Sequence, residues 1–391
     1  MKFYDNLFKS RQLPDWWVRF TTKYPFLPNF IAIAGLVWIC FLLAPIISAA
    51  GKSDHGGLVE TIRVISGSKK VVDKAISLRD VYHRWFPEEV RNFVSNLYSN
   101  LALYLLVPFL LTLEYLFPGK PSQPLIGKGF LQDAIWYVTI APLRVLVLFP
   151  VIQFLRGFFN DHLSFLSLGE ATIWPVYAQV IGAVLLTEFL MWFNHLVRHK
   201  IRTLWYFHAV HHSQKEMNVF TDDRGHVIDQ LVGSLLTFVP FFIFNVADIY
   251  AVTVIGLYMP IHNRFIHANI KMNLGWLGWI FTSPQFHRVH HSADANHLDK
   301  NFGVHLSIFD YLFGTAYKNR NVYPATGIED AHFPIEQNLR IRHLPGNWIK
   351  QTMYPFLQVL EKPLASRRLN FFRSRYFSQR NTTGKSSRKQ E

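Results

Sequence analysis

Apolar runs that end in histidines constrain this chain more than any other feature. Residues 171–194 run, mostly apolar, directly into His195 and His199. Four residues apart on a helix, those two imidazoles lie on one face, a turn from each other. His208, His211 and His212 follow as a His-x-x-His-His box, and the same pattern returns at His287, His290 and His291. Between the second and third boxes, residues 230–267 are mostly apolar. At about 1.5 Å per residue they suffice for roughly two crossings of a bilayer core about 30 Å thick. A helical hairpin that leaves and returns to the same side sets all three boxes on one membrane face.

A neutral imidazole is a good ligand for iron, zinc or copper. The boxes use eight of the chain's 18 histidines, more nitrogens than one four- to six-coordinate ion takes, so the economical reading is two metal ions close together. Isolated histidines are ordinary surface or core residues, and His55, His83, His162, His332 and His343 are read so. His297 and His305 lie near the third box but off its spacing, as polar surface or wall residues. The single cysteine, Cys40, leaves no intrachain disulfide and no thiolate set for zinc or an iron–sulfur cluster. Half of the 391 residues are hydrophobic and 16% are aromatic, with mean hydropathy +0.12. Those values lean towards a membrane protein, and a net charge of +14 suits anionic lipid. The charge is not gathered beside a nucleic-acid motif, so no nucleic-acid partner is expected.

In chain order, residues 1–29 read as a basic, aromatic interfacial leader and residues 30–50 as an uncharged first span. Residues 51–96 read as a polar amphipathic unit, completing an N-terminal region 1–96. Residues 97–170 carry accessory spans at 97–117 and 134–155, the second interrupted by Pro142, Arg144 and Pro150. Residues 171–325 form the histidine-bearing domain, and 326–391 a basic tail, poorly ordered towards its end. The expected fold is all-α: a multi-span transmembrane helix bundle with a histidine-rich helical cap holding a dinuclear metal site. The basic flanks place the boxes and the C-terminus on the cytoplasmic side.

The three boxes together resemble the fatty acid hydroxylase superfamily of integral-membrane, non-haem di-iron oxygenases, which includes sterol desaturases and fatty acid hydroxylases. The third-box region, HRVHHSADANHLDKNFGVHLSIFDYLFGT, is similar to that of alkylglycerol monooxygenase and bacterial sterol-desaturase-like proteins. The resemblance runs from about residue 175 to 320. It brings His267, in FIHANI, into the ligand set, which becomes His195, His199, His208, His211, His212, His267, His287, His290 and His291. It makes Asp310, Asn301 and Glu188 candidate acceptors for the outer ring N–H groups of those histidines. His226, in DDRGHVID, resembles a family position after the second box and is expected to support the ligands rather than bind metal, and His262 stands one place from a position where some relatives have a histidine. The sequence departs from the family at Leu196, at Phe193–Asn194 and at Asn263.

The resemblance implies an O₂-dependent lipid hydroxylase or desaturase with two iron ions (Fe²⁺/Fe³⁺). Its substrate would come from the bilayer: a sterol, a fatty acyl chain or an ether lipid. Trp192, Phe193, Trp205, Phe207 and Phe286 are candidates to line the path. No flavin, nicotinamide or cytochrome segment is evident, so electrons are expected from a separate transfer partner. Two alternatives are a bis-imidazole haem carrier, for which tight His–His doublets are a poor match, and a zinc protein, whose usual ligand count these histidines exceed.

Overall fold

The computed structural model describes residues 14–24, 29, 31, 101–168, 174–237, 239–244, 249–330, 332–334 and 343–361. The expected first span (30–50), the 51–96 unit and the end of the tail lie outside the described residues, apart from Ile31. Among the described residues every extended regular element is helical, and the only β pairing is three isolated bridges. The all-α expectation holds to that extent.

The helices are α1 (Asp15–Lys23), α2 (Leu101–Leu116), α3 (Lys128–Phe158), α4 (Val176–Lys200), α5 (Arg202–His212) and α6 (Val227–Leu235). They continue with α7 (Val239–Ile243), α8 (Ile249–His267), α9 (Pro284–His290), α10 (Ile308–Leu312) and α11 (Leu344–Glu361). One of them, over Tyr177–Lys200, is long and apolar enough to cross a membrane, and Leu106–Leu116 is a shorter apolar helix. Residues 134–155 lie inside the 31-residue α3, so Pro142 and Pro150 do not end it.

The expected two-legged hairpin over 230–267 takes a different form. Its returning leg is the single helix α8, but the outgoing leg is split into α6, of 9 residues, and α7, of 5. Pro240 is the physical reason. It has no N–H to give, its ring clashes with the carbonyl four residues back, and helix α6 ends before it can reach that position. The assigned tail also contains structure. Helix α11 packs on α3, where Trp136 Nε1 donates to Gln351 Oε1 at 2.9 Å. Tyr354 Oη donates to Asp330 Oδ2 at 2.6 Å.

Two features hold the helices around the histidines. An apolar core joins Leu106, Leu110 and Leu113 of α2 to Phe265 and Ile266 of α8 and to Ile270 and Met272 beyond it. A buried polar knot joins α3 to the segment after the second box. Asp133 Oδ1 accepts from Arg224 at 2.9 Å, while Oδ2 accepts from Gln214, Asn218 and Thr221 at 2.6, 2.9 and 2.9 Å. Both members of the ion pair are fully buried. Removing one partner of such a pair leaves an uncompensated charge and costs about 3–5 kcal/mol. Asp133→Ala is therefore expected to lower the thermal transition of the purified protein strongly, read by temperature-dependent size-exclusion recovery. An unchanged transition would show that the knot contributes little.

Candidate metal centre

Each histidine box is a short helical piece, and helical spacing decides which nitrogen goes where. Helix α4 ends at Lys200, Ile201 alone takes an extended conformation (φ −90°, ψ 113°), and α5 starts at Arg202. This one-residue corner folds the second box back against the first. Ser283 starts α9 by accepting from Phe286 N at 3.1 Å, with Pro284 in the first turn. Both choices favour a helix start at that point.

The nine histidines expected as ligands converge in two groups. His195, His199, His208, His212 and His290 form one, and His211, His267, His287 and His291 the other. Within each group the candidate ligand atoms all lie within 4.8 Å of one another. The His-x-x-His-His grammar explains the division. In the second box the i, i+4 pair, His208 and His212, serves the first group while His211 reaches into the second. The third box does the reverse: His287 and His291 serve the second group and His290 reaches back to the first. The groups adjoin, with the rings of His212 and His291 stacked at 4.3 Å and 18°.

Hydrogen bonds on the outer nitrogens fix most of the tautomers. His195 Nδ1 donates to Phe302 O (2.8 Å), His290 Nδ1 to Lys300 O (2.9 Å), His211 Nδ1 to Arg224 O (3.0 Å) and His267 Nδ1 to Asn263 O (2.7 Å). A carbonyl only accepts, so each of these rings carries its proton on Nδ1 and, when neutral, a bare lone pair on Nε2. Yet His195 Nε2 and His290 Nε2 stand 2.9 Å apart, and His267 Nε2 and His211 Nε2 3.2 Å apart. Two facing lone pairs at that distance repel unless a cation lies between them. A proton is a poor candidate, because burial pushes His211 well below its ordinary value and His290 down to about 3. The donor set therefore fits metal ions. Neighbouring Nε2 atoms are 2.9–3.2 Å apart throughout both groups. For a metal–nitrogen bond of about 2.1 Å, adjacent ligands of an octahedron are about 3.0 Å apart and those of a tetrahedron about 3.4 Å. The spacing suits an ion of more than four ligands.

The expected carboxylate and amide acceptors do not touch these rings. Asp310 accepts from Phe302 N (2.8 Å), Gly303 N (2.6 Å), Trp192 Nε1 (3.1 Å) and Thr315 Oγ1 (2.5 Å). It holds the turn whose Phe302 carbonyl takes His195 Nδ1, one step removed from the candidate ligand nitrogens. Gly303 permits that approach, since a Cβ there would meet Leu306 O at 2.3 Å and Asp310 Oδ2 at 2.8 Å. Asn301, in the left-handed region at φ 61°, donates to Phe286 O and accepts from Tyr317 N. It sets the loop beside the Lys300 carbonyl. Glu188 accepts from His305 Nδ1 at 2.7 Å and from Leu306 N at 3.2 Å. For Asp310 and Asn301 a neighbouring backbone carbonyl takes the box histidine and the side chain holds the local loop, while Glu188 pairs with His305, which lies outside both groups. His226 caps α6, accepting from Ile228 N at 3.1 Å, and His262 bonds Tyr258 Oη and Thr282 O. Neither joins a group.

Among the described residues, the carboxylate hydrogen-bonded to a box histidine is Asp229, which the sequence reading passed over. His208 Nδ1 donates to its Oδ2 at 3.0 Å, and Arg198 Nη1 reaches both its oxygens at 3.1 and 3.2 Å. Burial pushes the Asp229 carboxyl up, but His208 and Arg198 outweigh it and hold it well below the carboxylate range. A signal was available: Arg198 sits at the end of an apolar helix, where a buried cation demands a carboxylate, and Asp229 begins the next apolar run. Phe302 was also missed. Its ring lies 5.2–5.9 Å from those of His199, His290 and His195. Of the aromatic candidates, Trp205 lies 4.9 Å from His199, Trp192 is held by Asp310, and Phe193 points outward with 44% exposure.

Comparison with known proteins finds relatives of the histidine-bearing region. Residues 180–315 match the fatty acid hydroxylase family, so this stretch of the chain is similar to that family. Among curated relatives, the ornithine lipid hydroxylase OlsE of Rhizobium tropici is 31% identical over 195 residues, covering 50% of this chain and 55% of that protein. Alkylglycerol monooxygenase of Homo sapiens is 27% identical over 243 residues, covering 61% of this chain and 51% of the relative. The Danio rerio alkylglycerol monooxygenase is 30% identical over 155 residues, covering 40% and 33%. The chain thus spans about half the length of the first two relatives and a third of the last. No solved structure gives a significant match.

Proposed function

We propose that this chain is a membrane-embedded, O₂-dependent lipid hydroxylase whose nine histidines hold two iron ions. The observation that carries the reading is the pair of opposed lone pairs, His195 against His290 and His211 against His267. Their tautomers are fixed by carbonyls, so each pair needs a cation. Five nitrogens in one group exceed the four of tetrahedral zinc, and closely set imidazoles leave no room for a haem ring, which speaks for iron over either alternative. Relatives named as a lipid hydroxylase and monooxygenases favour hydroxylation over desaturation.

When bound, the iron pair supplies O₂ activation with two electrons from an external donor protein. The overall balance is R–H + O₂ + 2e⁻ + 2H⁺ giving R–OH + H₂O. The chain's own residues do the rest. The carbonyls of Phe302, Lys300, Arg224 and Asn263 orient the rings, Asp229 holds His208, and the Phe302 ring shields the first group from water. In this reading α4, the helices around it and the earlier apolar runs form a multi-span bundle. The boxes lie at its cytoplasmic end, and a sterol, acyl or ether lipid reaches them from the bilayer. Residues 171–325 are the catalytic unit, with 97–170 accessory and 1–96 and 326–391 flanking.

Metal analysis of purified protein, followed by turnover of a lipid extract under isotopically labelled O₂, tests the proposal. About two irons per chain and a lipid product carrying label from O₂ are expected. A haem absorption band, or product oxygen derived from water, would sink it.

A further inference from the structure

Outside the histidine centre the described surface carries a continuous apolar face that starts on α4. On α4 the residues Tyr177, Ile181, Leu185 and Phe193 are exposed at intervals of four or eight, and Phe189 completes the stripe. That stripe does not stop at the end of the helix. Phe313 stacks on Trp192 at 4.6 Å and lies 6.0 Å from Phe189. Next to it Leu312 is 69% exposed, and across from α10 Trp276 is 74% and Trp279 54% exposed, with Ile280 and Phe281 also outside. The two segments are tied together. Ser307 N donates to Ile280 O at 2.9 Å, Phe281 bridges Leu306, and Trp279 packs on Tyr311 at 4.6 Å. The only charged residue within 273–281 and 306–313 is Asp310, which is fully buried. Lys271, Lys318 and Arg320 flank the face, the last with its guanidinium 5.1 Å over the Trp279 ring.

We propose that residues 276–281 and 312–313 form a second membrane-immersed surface, seated among the acyl chains beside the histidine centre. Exposed Trp, Leu and Phe without a charge among them are costly in water. A rim of Trp with Lys and Arg is the composition of the lipid–water boundary, where indoles sit at headgroup level and cations meet phosphate. Continuity with the outer stripe of α4 selects lipid as the occupant over a second copy of the chain, because whatever bathes Leu185 and Phe193 also reaches Phe313 and Leu312. The centre is then roofed by a surface dipping into the leaflet from which the substrate comes. This inference rests on the proposed membrane reading of α4.

The test uses the full metal-loaded chain with Cys40→Ser, carrying a single nitroxide label at Trp276→Cys, Leu312→Cys, Leu185→Cys or Asn296→Cys, in phosphatidylcholine vesicles. Relaxation by O₂, which concentrates in lipid, is compared with relaxation by a water-soluble nickel chelate. Labels at 276, 312 and 185 are expected to give an O₂-to-nickel ratio several-fold above that at 296. A lipid-like value at 185 with water-like values at 276 and 312 overturns this inference and leaves the membrane reading standing. Water-like values at all four positions overturn both. Dipolar broadening between labels at 312 on separate chains would make the face a contact between copies and equally overturn it.

Discussion

Replacing His290 with alanine is expected to remove iron from the five-histidine group and reduce turnover to background. His211→Ala is expected to do the same from the four-histidine group. Each side chain is the i+3 member of its box, reaching across to the group that its own i, i+4 neighbours do not serve. Each also faces a lone pair on another helix: His195 Nε2 at 2.9 Å from His290 and His267 Nε2 at 3.2 Å from His211. Its loss deletes a ligand and also removes a strand of the connection between boxes. Metal content should fall from about two to about one per chain in either variant, since the untouched group keeps its full set, and the remaining ligands of the damaged group cannot complete the shell. If both ions are needed for turnover, as proposed, a chain holding one ion is expected to be inactive rather than partly active. His343→Ala, at an exposed position before α11, should change neither quantity. Wild-type iron and turnover in both box variants would refute the two-ion assignment.

Why the ligands were legible and their supports were not follows from the range of each interaction. The i, i+4 and i+3 relations inside a box are local and covalently fixed, so the helical period alone nearly sorts His208, His211 and His212. His267 required the resemblance, because a lone histidine at a helix end carries no periodic signal. The supports are long-range. Phe302 O meets His195 across 107 positions, and Asp310 reaches the same turn through backbone N–H groups. Nothing in residue type reveals that a carbonyl, which every residue has, will take a particular ring. The carboxylates that the resemblance singled out, Glu188 and Asp310, met other donors, while Asp229 was overlooked beside His226 in the same segment. In the fold, the split of the outgoing leg into α6 and α7 was readable from Pro240, but the apolar run around it masked the break. The packed helix α11 was hidden in a segment assigned by its basic end.

The carboxylate that touches a box histidine, Asp229, should matter more to the metals than Asp310 does. Asp229→Asn keeps the side chain's size and one acceptor oxygen but removes the charge that faces both His208 Nδ1 and Arg198. With the carboxylate present, the Nδ1 proton is held on the outer side of His208 and its inner nitrogen is the more basic donor. With the amide, that polarisation is lost. Arg198, 13% exposed, keeps its charge beside His208 with no counter-ion, which further disfavours a cation in the first group. Outer partners of this kind change metal affinity or activity by roughly 10–100-fold. Asp310→Asn differs in kind. It places an amide N–H₂ or a lone oxygen where the Gly303 N–H, the Phe302 N–H and the Trp192 indole all donate, so it should lower the thermal transition before it changes metal retention. Competition with a chelator, at a temperature where both variants remain folded by size exclusion, separates the two roles. Asp229→Asn is expected to release iron at a chelator concentration at least tenfold lower than wild type, the lower edge of the range about 10–100-fold, with Asp310→Asn close to wild type. If the order is reversed, the Phe302 turn rather than the Asp229 carboxylate governs how firmly the centre is held.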